Sequence, residues 1–380
     1  MTDAEIFHRE MIHLGGRLKM PSGSPAGKPY DDIAERAKFL ISKAREHLPR
    51  LPHIHFDFVL NGDINAYAFK SKGRYFIGLN TGAIYMLQLV FMRMLADSRL
   101  FPVTGNASEE ANDLPPLTGY VPQAQQMYEA GLIARPPKTK PRKSYATHLF
   151  DHAILFLVGH EIAHITLGHV DYLQSKTGTA LIAEMGWKQT DSEGSIERQI
   201  LEAQADTRSV FSGIASVQLT HAMPNLEKPP WDSSPLRPET MIFDWAFAMN
   251  SLFRLFGDSR FSSSELATTV HPPLPIRRAM ATGTAYASVM AWDPELKDKA
   301  LKSLRAAMLY TELAFSVILG IDPSTEGLRD AYTPLGREHY KRLWACWNGG
   351  LRKRLATFSY EDLFVDDFGS DRPIDLNSAV

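Results

Sequence analysis

The stretch AILFLVGHEIAHITLGHV, from Ala153 to Val170, decides the fold of this chain, because a long apolar run encloses the motif HEIAH. An α-helix turns by about 100° per residue, so His160 and His164, four positions apart, lie on one helix face. Neutral imidazoles placed in this way can bind one Zn2+ at about 2.0–2.1 Å, and Glu161 beside them can serve as a general base. The stretch therefore predicts a helix that presents two zinc ligands and one catalytic carboxylate.

A zinc hydrolase needs a third protein ligand and leaves its fourth position to water. One class of these enzymes places a histidine six residues after the second motif histidine, but Val170 occupies that position here. His169 is five residues beyond His164, about 140° around a continuous helix, so it is expected at the helix end, facing elsewhere. The third ligand must therefore come from another segment.

Glu202 is the better candidate, in the segment LEAQAD at positions 201–206 of a second predicted helix. Asp206 lies one turn later on the same face, where it can accept a hydrogen bond from the free ring N–H of a zinc histidine. The alanines of the segment allow two helices to approach closely around a buried metal. The alternative is an exposed face on which the two carboxylates pair with Arg198 and Arg208.

Two further segments complete a motif order that resembles a known family. NAYA begins at Asn65, and HPPLPIR runs from His271 to Arg277. Together with HEIAH and the segment around Glu202, they resemble the gluzincin zinc metallopeptidases of the HtpX and CAAX prenyl protease kind, over about residues 55–280. The chain lacks the transmembrane helices of the HtpX type, and its motif order is similar to that of the soluble Lit-type phage-exclusion peptidases.

The resemblance implies a zincin-like metallopeptidase fold and a zinc-dependent endopeptidase that cleaves a protein or peptide substrate inside the cell. His160, His164 and Glu202 would hold Zn2+, and Asp206 would support the ligands. Glu161 would act as general base and then as proton donor to the leaving amine.

The resemblance also implies roles for the outer motifs. His271 and Arg277 are the candidates to stabilise the developing oxyanion, and the alternative is a loop histidine with a solvated arginine. The strand with Asn65 and Ala66 would form an edge over the cleft, where backbone hydrogen bonds add the substrate as a strand. Asn65 has the alternative role of closing a turn or bulge.

The hydrophobic pattern predicts an α+β fold that is mostly helical, with a small antiparallel sheet packed over the active-site helix. Helices are expected over 31–48, from Asn80 or Thr81 to Leu95, from about Tyr145, and over about 195–217. Strands are expected over 55–60, 66–70 and 75–79, joined as an antiparallel meander.

Three regions are predicted along the chain. Residues 1–52 form a helical segment, 53–290 the metallopeptidase domain, and 291–380 a helical region whose last fifteen residues fray. Within the domain, the proline-rich insert 101–144 is expected to be a surface loop or a lid that gates the cleft.

Composition narrows the classes of function. The chain has 380 residues and a formal net charge of −2, so it shows no basic excess that would indicate nucleic acid as a partner. The basic run Lys138, Lys140, Arg142 and Lys143 is interpreted as a solvated loop. A single cysteine excludes an intrachain disulfide, and no apolar run reaches the roughly 20 residues of a membrane span, so a cytoplasmic protein without membrane insertion is expected.

Two other kinds of function are consistent with the motif. The first is a non-catalytic zinc-binding regulatory or interaction module on a peptidase-like fold, which would have no need of Glu161 as a general base. The second is a metal-free helical protein with an incidental HEIAH sequence. No feature of the sequence identifies an activating partner.

Overall fold

The fold is described from a computed structural model of the chain. The described residues are 1–19, 23–24, 27–117, 135–178, 180–183, 192–223, 229–231, 236–257, 261–262, 266 and 269–363. The predicted frayed C-terminus, residues 366–380, lies outside these ranges.

The chain is mostly helical and contains one small sheet, which confirms the α+β class. The strands are β1 (Ile54–Val59), β2 (Ala66–Ser71), β3 (Arg74–Asn80) and β4 (Leu181–Ala183). The helices are α1 (Asp3–Met11), α2 (Lys28–His47), α3 (Thr81–Leu95), α4 (Lys140–Thr166), α5 (His169–Thr177), α6 (Ser192–His221), α7 (Pro238–Phe256), α8 (Leu274–Trp292), α9 (Lys297–Leu319), α10 (Glu326–Asp330), α11 (Pro334–Cys346) and α12 (Arg352–Leu355). A π-helical turn, Trp347–Leu351, joins the last two helices.

The sheet is mixed, so the prediction of an antiparallel meander is wrong. Its strand order is β1-β3-β2-β4, with β1 parallel to β3 and the other pairs antiparallel. The prediction assumed that Asn61-Gly62-Asp63 folds as a hairpin turn between β1 and β2. Instead, this segment crosses the end of β3, and β3 returns between the two earlier strands.

Contacts with the start of α3 explain that crossing. The carbonyl oxygen of Asn61 accepts hydrogen bonds from Gly82 N at 2.8 Å and from Thr81 Oγ1 at 2.9 Å. A Cβ atom on Gly82 would lie only 2.1 Å from the carbonyl oxygen of Gly62, so glycine is required for this close approach. The loop is therefore bound to α3 and cannot turn back along β1.

The sheet packs on α4 with one face, as predicted. Along β2, Ala66 and Ala68 belong to the large core that includes α4, whereas Tyr67 and Phe69 pack on α1 through residues such as Phe7. The large core is continuous from α2 to α12, so it contains buried residues of all three predicted regions. The sheet and the helices α3, α6 and α7 thus enclose the HEIAH helix.

Helix α4 begins five residues earlier than predicted, and its first turns correct the interpretation of the basic run. Arg142 is fully buried. Its guanidinium donates to five carbonyl oxygens, at distances from 2.7 to 3.1 Å, of Leu95, Asp97, Leu100, Phe101 and Thr104. An arginine that satisfies so many backbone acceptors is a structural element, so the interpretation as a solvated residue is wrong for Arg142, whereas Lys138, Lys140 and Lys143 are exposed.

The two ends of the insert 101–144 are bound to each other. Glu110 accepts hydrogen bonds from the backbone N–H groups of Lys138 and Thr139 at 2.9 to 3.2 Å. Residues 118–134, the middle of the predicted lid, lie outside the described residues.

None of the described helices is by itself long and apolar enough to cross a membrane, although α4 and α5, bent by 56°, meet that test of length and composition as a pair.

Candidate metal centre

The two helices that carry the predicted ligands approach each other closely. A Cβ atom at Gly159 of α4 would lie only 2.9 Å from Ser209 Oγ of α6. That hydroxyl donates to the carbonyl oxygen of Phe156 at 2.6 Å. Ala163 and Ala205 pack together beside this contact. Small side chains therefore allow the histidines of α4 to meet the carboxylates of α6.

His160, His164 and Glu202 converge between these helices. His160 Nε2 and His164 Nε2 lie 2.9 Å apart, and Glu202 Oε2 lies 3.3 Å from the first and 3.5 Å from the second. All three side chains are buried, and one ligand atom from each lies within 4.8 Å of the others. Atoms bound tetrahedrally to one Zn2+ at about 2.0–2.2 Å would lie about 3.3–3.6 Å apart. The group can therefore hold a metal ion.

Asp206 fixes the ring of His160. Its Oδ1 lies 3.0 Å from His160 Nδ1, and Arg277 binds the same carboxylate through Nε at 2.5 Å and Nη2 at 2.8 Å. A carboxylate in such an ion pair only accepts hydrogen bonds, so His160 Nδ1 is the donor and His160 Nε2 keeps a lone pair. Asp206 has the position beside a ligand histidine that the sequence predicts.

His169 fixes the ring of His164, so the prediction that it faces elsewhere is wrong. The helix does not continue through Gly168, whose φ of 76° ends α4 and begins α5. The bend brings His169 Nδ1 to 2.9 Å from His164 Nδ1, and His169 Nε2 lies 3.0 Å from Gln204 Oε1. Because the amide oxygen accepts from His169 Nε2, His169 Nδ1 is free to accept from His164 Nδ1, and His164 Nε2 keeps a lone pair.

Burial keeps this chain of hydrogen bonds neutral. Burial and the nearby His164 lower the pKa of His169 well below its usual range. A neutral His169 has one donor and one acceptor nitrogen, as the contacts with Gln204 and His164 require. Gln204 therefore selects the tautomer of His164 through His169.

The resulting arrangement places acceptors against each other. The Nε2 atoms of His160 and His164 both lack a proton, and both face the carboxylate of Glu202. Glu202 Oε2 has no hydrogen-bond partner among the described residues. Buried acceptors in such contact repel one another, whereas a cation between them would be coordinated. Two neutral imidazoles and one carboxylate are the donor set of catalytic zinc sites such as that of thermolysin.

His271 approaches Glu202 from the less enclosed side. Its Nε2 lies 3.3 Å from Glu202 Oε2, and its side chain is 19% exposed, against 3% for Glu202. Burial alone would raise the pKa of Glu202, but the imidazoles that face its carboxylate, His271 above all, outweigh burial and hold that pKa well below its usual range. Glu202 is therefore ionised, as a metal ligand must be.

Glu161 and Arg277 differ in what surrounds them. Glu161 is buried directly beside the first ligand histidine. Burial raises the pKa of Tyr67 at the start of β2, and the nearby charge of Glu161 makes a smaller contribution in the same direction. Arg277 gives its guanidinium to Asp206 and lies over the rings of Phe253 and Phe256, at 4.9 and 5.7 Å from their centroids. The contacts of Arg277 therefore fit a positioning role.

The predicted substrate edge is largely covered. β4 pairs with Tyr67 to Phe69 of β2, so β2 is an inner strand and that part of the prediction is wrong. Strand β4 has only three residues, too few for an alternating pattern to be recognised in the sequence. Asn65 and Ala66 lie before this pairing; both are buried, and Asn65 Oδ1 accepts from Ala66 N at 2.9 Å.

Comparisons of the chain with protein families, with curated proteins and with solved structures find no match. The geometry of the site must therefore carry any functional conclusion.

Sequence reasoning missed two supports of the site. Gly159 has a local signal, since a glycine inside an apolar helix often marks a close helix contact. Gln204 has none, because its role depends on the bend at Gly168 that brings His169 back to His164.

Proposed function

We propose that this chain is a zinc-dependent endopeptidase of the gluzincin type, with a protein or peptide as its substrate. The observation that carries the proposal is the convergence of His160, His164 and Glu202, whose metal-facing atoms lie within 4.8 Å of one another in a buried site. The motif order before and after this group, from Asn65 to Arg277, supports the same family.

The residues around the group divide the proposed chemistry among them. When bound, Zn2+ would act as a Lewis acid and lower the pKa of a coordinated water toward about 7. Glu161 would accept the proton of the attacking water on its carboxylate and deliver it to the leaving amine. His271 would donate a hydrogen bond to the developing oxyanion from the less enclosed side of Glu202.

The remaining polar groups would hold the ligands in place. Arg277 and Asp206 orient His160, while Gln204 and His169 orient His164. Since β4 covers β2 along Tyr67 to Phe69, a substrate added as a strand would have to pair with the outer edge of β4.

The decisive experiment separates metal binding from catalysis. The purified wild-type protein should contain about one zinc per chain, and His164→Ala should remove it. Glu161→Gln should retain the zinc while the cleavage rate falls by about 10²–10⁴-fold, the usual contribution of a general base. New protein N-termini, counted by mass spectrometry in cells that express each form, report cleavage without knowledge of the substrate.

Controls make each outcome informative. Glu46→Gln, an isosteric change at an exposed residue of α2, should leave both zinc and cleavage unchanged. Cleavage that survives Glu161→Gln would contradict the mechanism. Stoichiometric zinc with no wild-type cleavage products would favour the alternative of a non-catalytic zinc-binding module.

A further inference from the structure

A small cavity lies beside the start of α8 and is lined by Arg278. Its volume is about 140 Å³, and it lies between α7, the start of α8, α9 and the segment that precedes α10. Its lining includes Arg254 and Arg278, together with Glu312, which pairs with both. None of these residues belongs to the proposed metal centre.

Arg278 is buried in this cavity with part of its guanidinium unsatisfied. Its side chain is 6% exposed; Nε donates to Asn250 Oδ1 at 3.0 Å and Nη1 to Glu312 Oε1 at 2.5 Å. Nη2 is also buried, and it has no hydrogen-bond partner among the described residues. A buried charged donor without an acceptor is costly, so the site calls for an acceptor from outside the chain.

Glu312 cannot supply that acceptor, because it is shared. Its Oε1 binds Arg278 and its Oε2 lies 3.2 Å from Arg254 Nε. Two guanidinium groups thus divide one carboxylate at the inner end of the cavity. Asp322 and Glu326, both exposed, line its outer end.

We propose that this cavity is a binding site for a small carboxylate, held by Arg278 Nη2. A guanidinium matches a carboxylate in shape and charge. With a volume of about 140 Å³, the cavity has room for several water-sized groups, which is enough for the four non-hydrogen atoms of acetate. The two acidic residues at the outer end disfavour a dianion, so a singly charged carboxylate fits better than phosphate.

The test measures the unfolding temperature of the full chain against the concentration of sodium acetate, with sodium chloride at equal ionic strength as reference. A ligand that binds only the folded state raises this temperature in a saturable way. Wild-type protein should show the rise. His164→Ala should show it too, which separates the cavity from carboxylate binding at the metal centre.

Two variants locate the effect. Arg278→Met removes the donor, and Ser316→Leu fills the cavity without altering a charge, since Ser316 is a buried lining residue. Either variant should abolish the acetate-specific rise, so the test holds even if one of them does not fold. Arg337→Met, at an exposed arginine of α11, should retain it.

Three results would overturn the proposal. One is a wild-type response to acetate no greater than that to chloride, as expected if water fills the cavity. Another is a response that survives both Arg278→Met and Ser316→Leu. The third is saturable binding of inorganic phosphate that is tighter than that of acetate, which would contradict the assignment to a carboxylate.

Discussion

Helix α4 carries two buried polar sites, one near each end, and they differ in how their hydrogen bonds are satisfied. Arg142 in the first turn is completely enclosed, and each of its guanidinium nitrogens donates to a carbonyl oxygen. His160 and His164, about 27 and 33 Å further along the axis, present acceptor atoms to each other and to Glu202. The side chains of both sites are buried to a similar extent, so burial alone does not distinguish the sites.

The comparison shows which buried polar groups have their hydrogen bonds satisfied within the chain. The donors of Arg142 are matched by backbone acceptors, and the site is complete within the chain. The acceptor atoms of His160, His164 and Glu202 instead converge on one another, as the ligands of a single cation do. The first site should therefore govern stability and the second should govern metal binding.

Replacing Arg142 with methionine tests the structural side of this comparison and should have the largest effect on stability. The variant keeps an apolar stem but leaves five buried carbonyl oxygens without their donor. We expect a loss of about 3–5 kcal/mol in the free energy of unfolding, measured by urea denaturation. The folded fraction should still bind one metal ion per chain.

Lys143→Met is the matched control, because it removes a neighbouring exposed charge from the same helix turn. Its effect should stay within about 0.5 kcal/mol. If Arg142→Met were as stable as this control, or if it lost the metal while remaining folded, the division between the two sites would be wrong.

A second prediction concerns His339, a buried histidine away from the metal group. Its Nε2 lies 2.6 Å from Gln199 Oε1, and burial lowers its pKa from 6.5 to about 4. In the unfolded chain it takes up a proton near pH 6.5, before the folded chain does. Its contribution to stability is therefore complete above pH 6.5 and falls by about 3 kcal/mol as the pH drops to 4.

The measurement is the free energy of unfolding of wild type and of His339→Gln at several pH values between 7 and 4. The difference between the two proteins should change by about 3 kcal/mol across this window, in the direction that makes wild type relatively weaker at low pH. His47→Gln, at an exposed position of α2, serves as control. A difference that is constant with pH would show that His339 is not held neutral by the fold.

The parts of the site that sequence predicted are those fixed by local geometry. His160 and His164 follow from the helical repeat, and Glu202 and Asp206 follow from the same repeat on a second helix. The metal-ligand group could thus be assembled from two short patterns once the helices were known to pack. The α+β class follows from the same patterns.

The parts that sequence missed depend on contacts between distant segments. The order of the strands depends on the binding of Asn61 to the start of α3, and not on the turn sequence itself. The burial of Arg142 depends on carbonyl groups from residues 95–104. A glycine such as Gly168 is a common helix end, but the sequence does not show the direction of the bend that brings His169 back to His164.

The smallest predicted effect belongs to Gln204, and it compares two glutamines of α6. Gln199 is a complete structural group, since its amide donates to the carbonyl oxygens of Leu266 and Thr269 and accepts from His339. Gln204 uses only its oxygen, toward His169, and its Nε2 is buried with no hydrogen-bond partner in the described chain. Its identity is therefore explained by the proton it places on His169.

Gln204→Leu removes that acceptor and frees His169 to donate to His164, which would put a proton on His164 Nε2. Zinc affinity, measured by competition with a chelator, should fall by about 10–100-fold, or about 1.4–2.8 kcal/mol. Gln204→Glu keeps an oxygen at this position and should restore most of the affinity. Gln199→Leu should lower stability and leave zinc affinity unchanged. Equal zinc affinity in Gln204→Leu and wild type would mean that metal binding by His160, His164 and Glu202 does not depend on the tautomer relay.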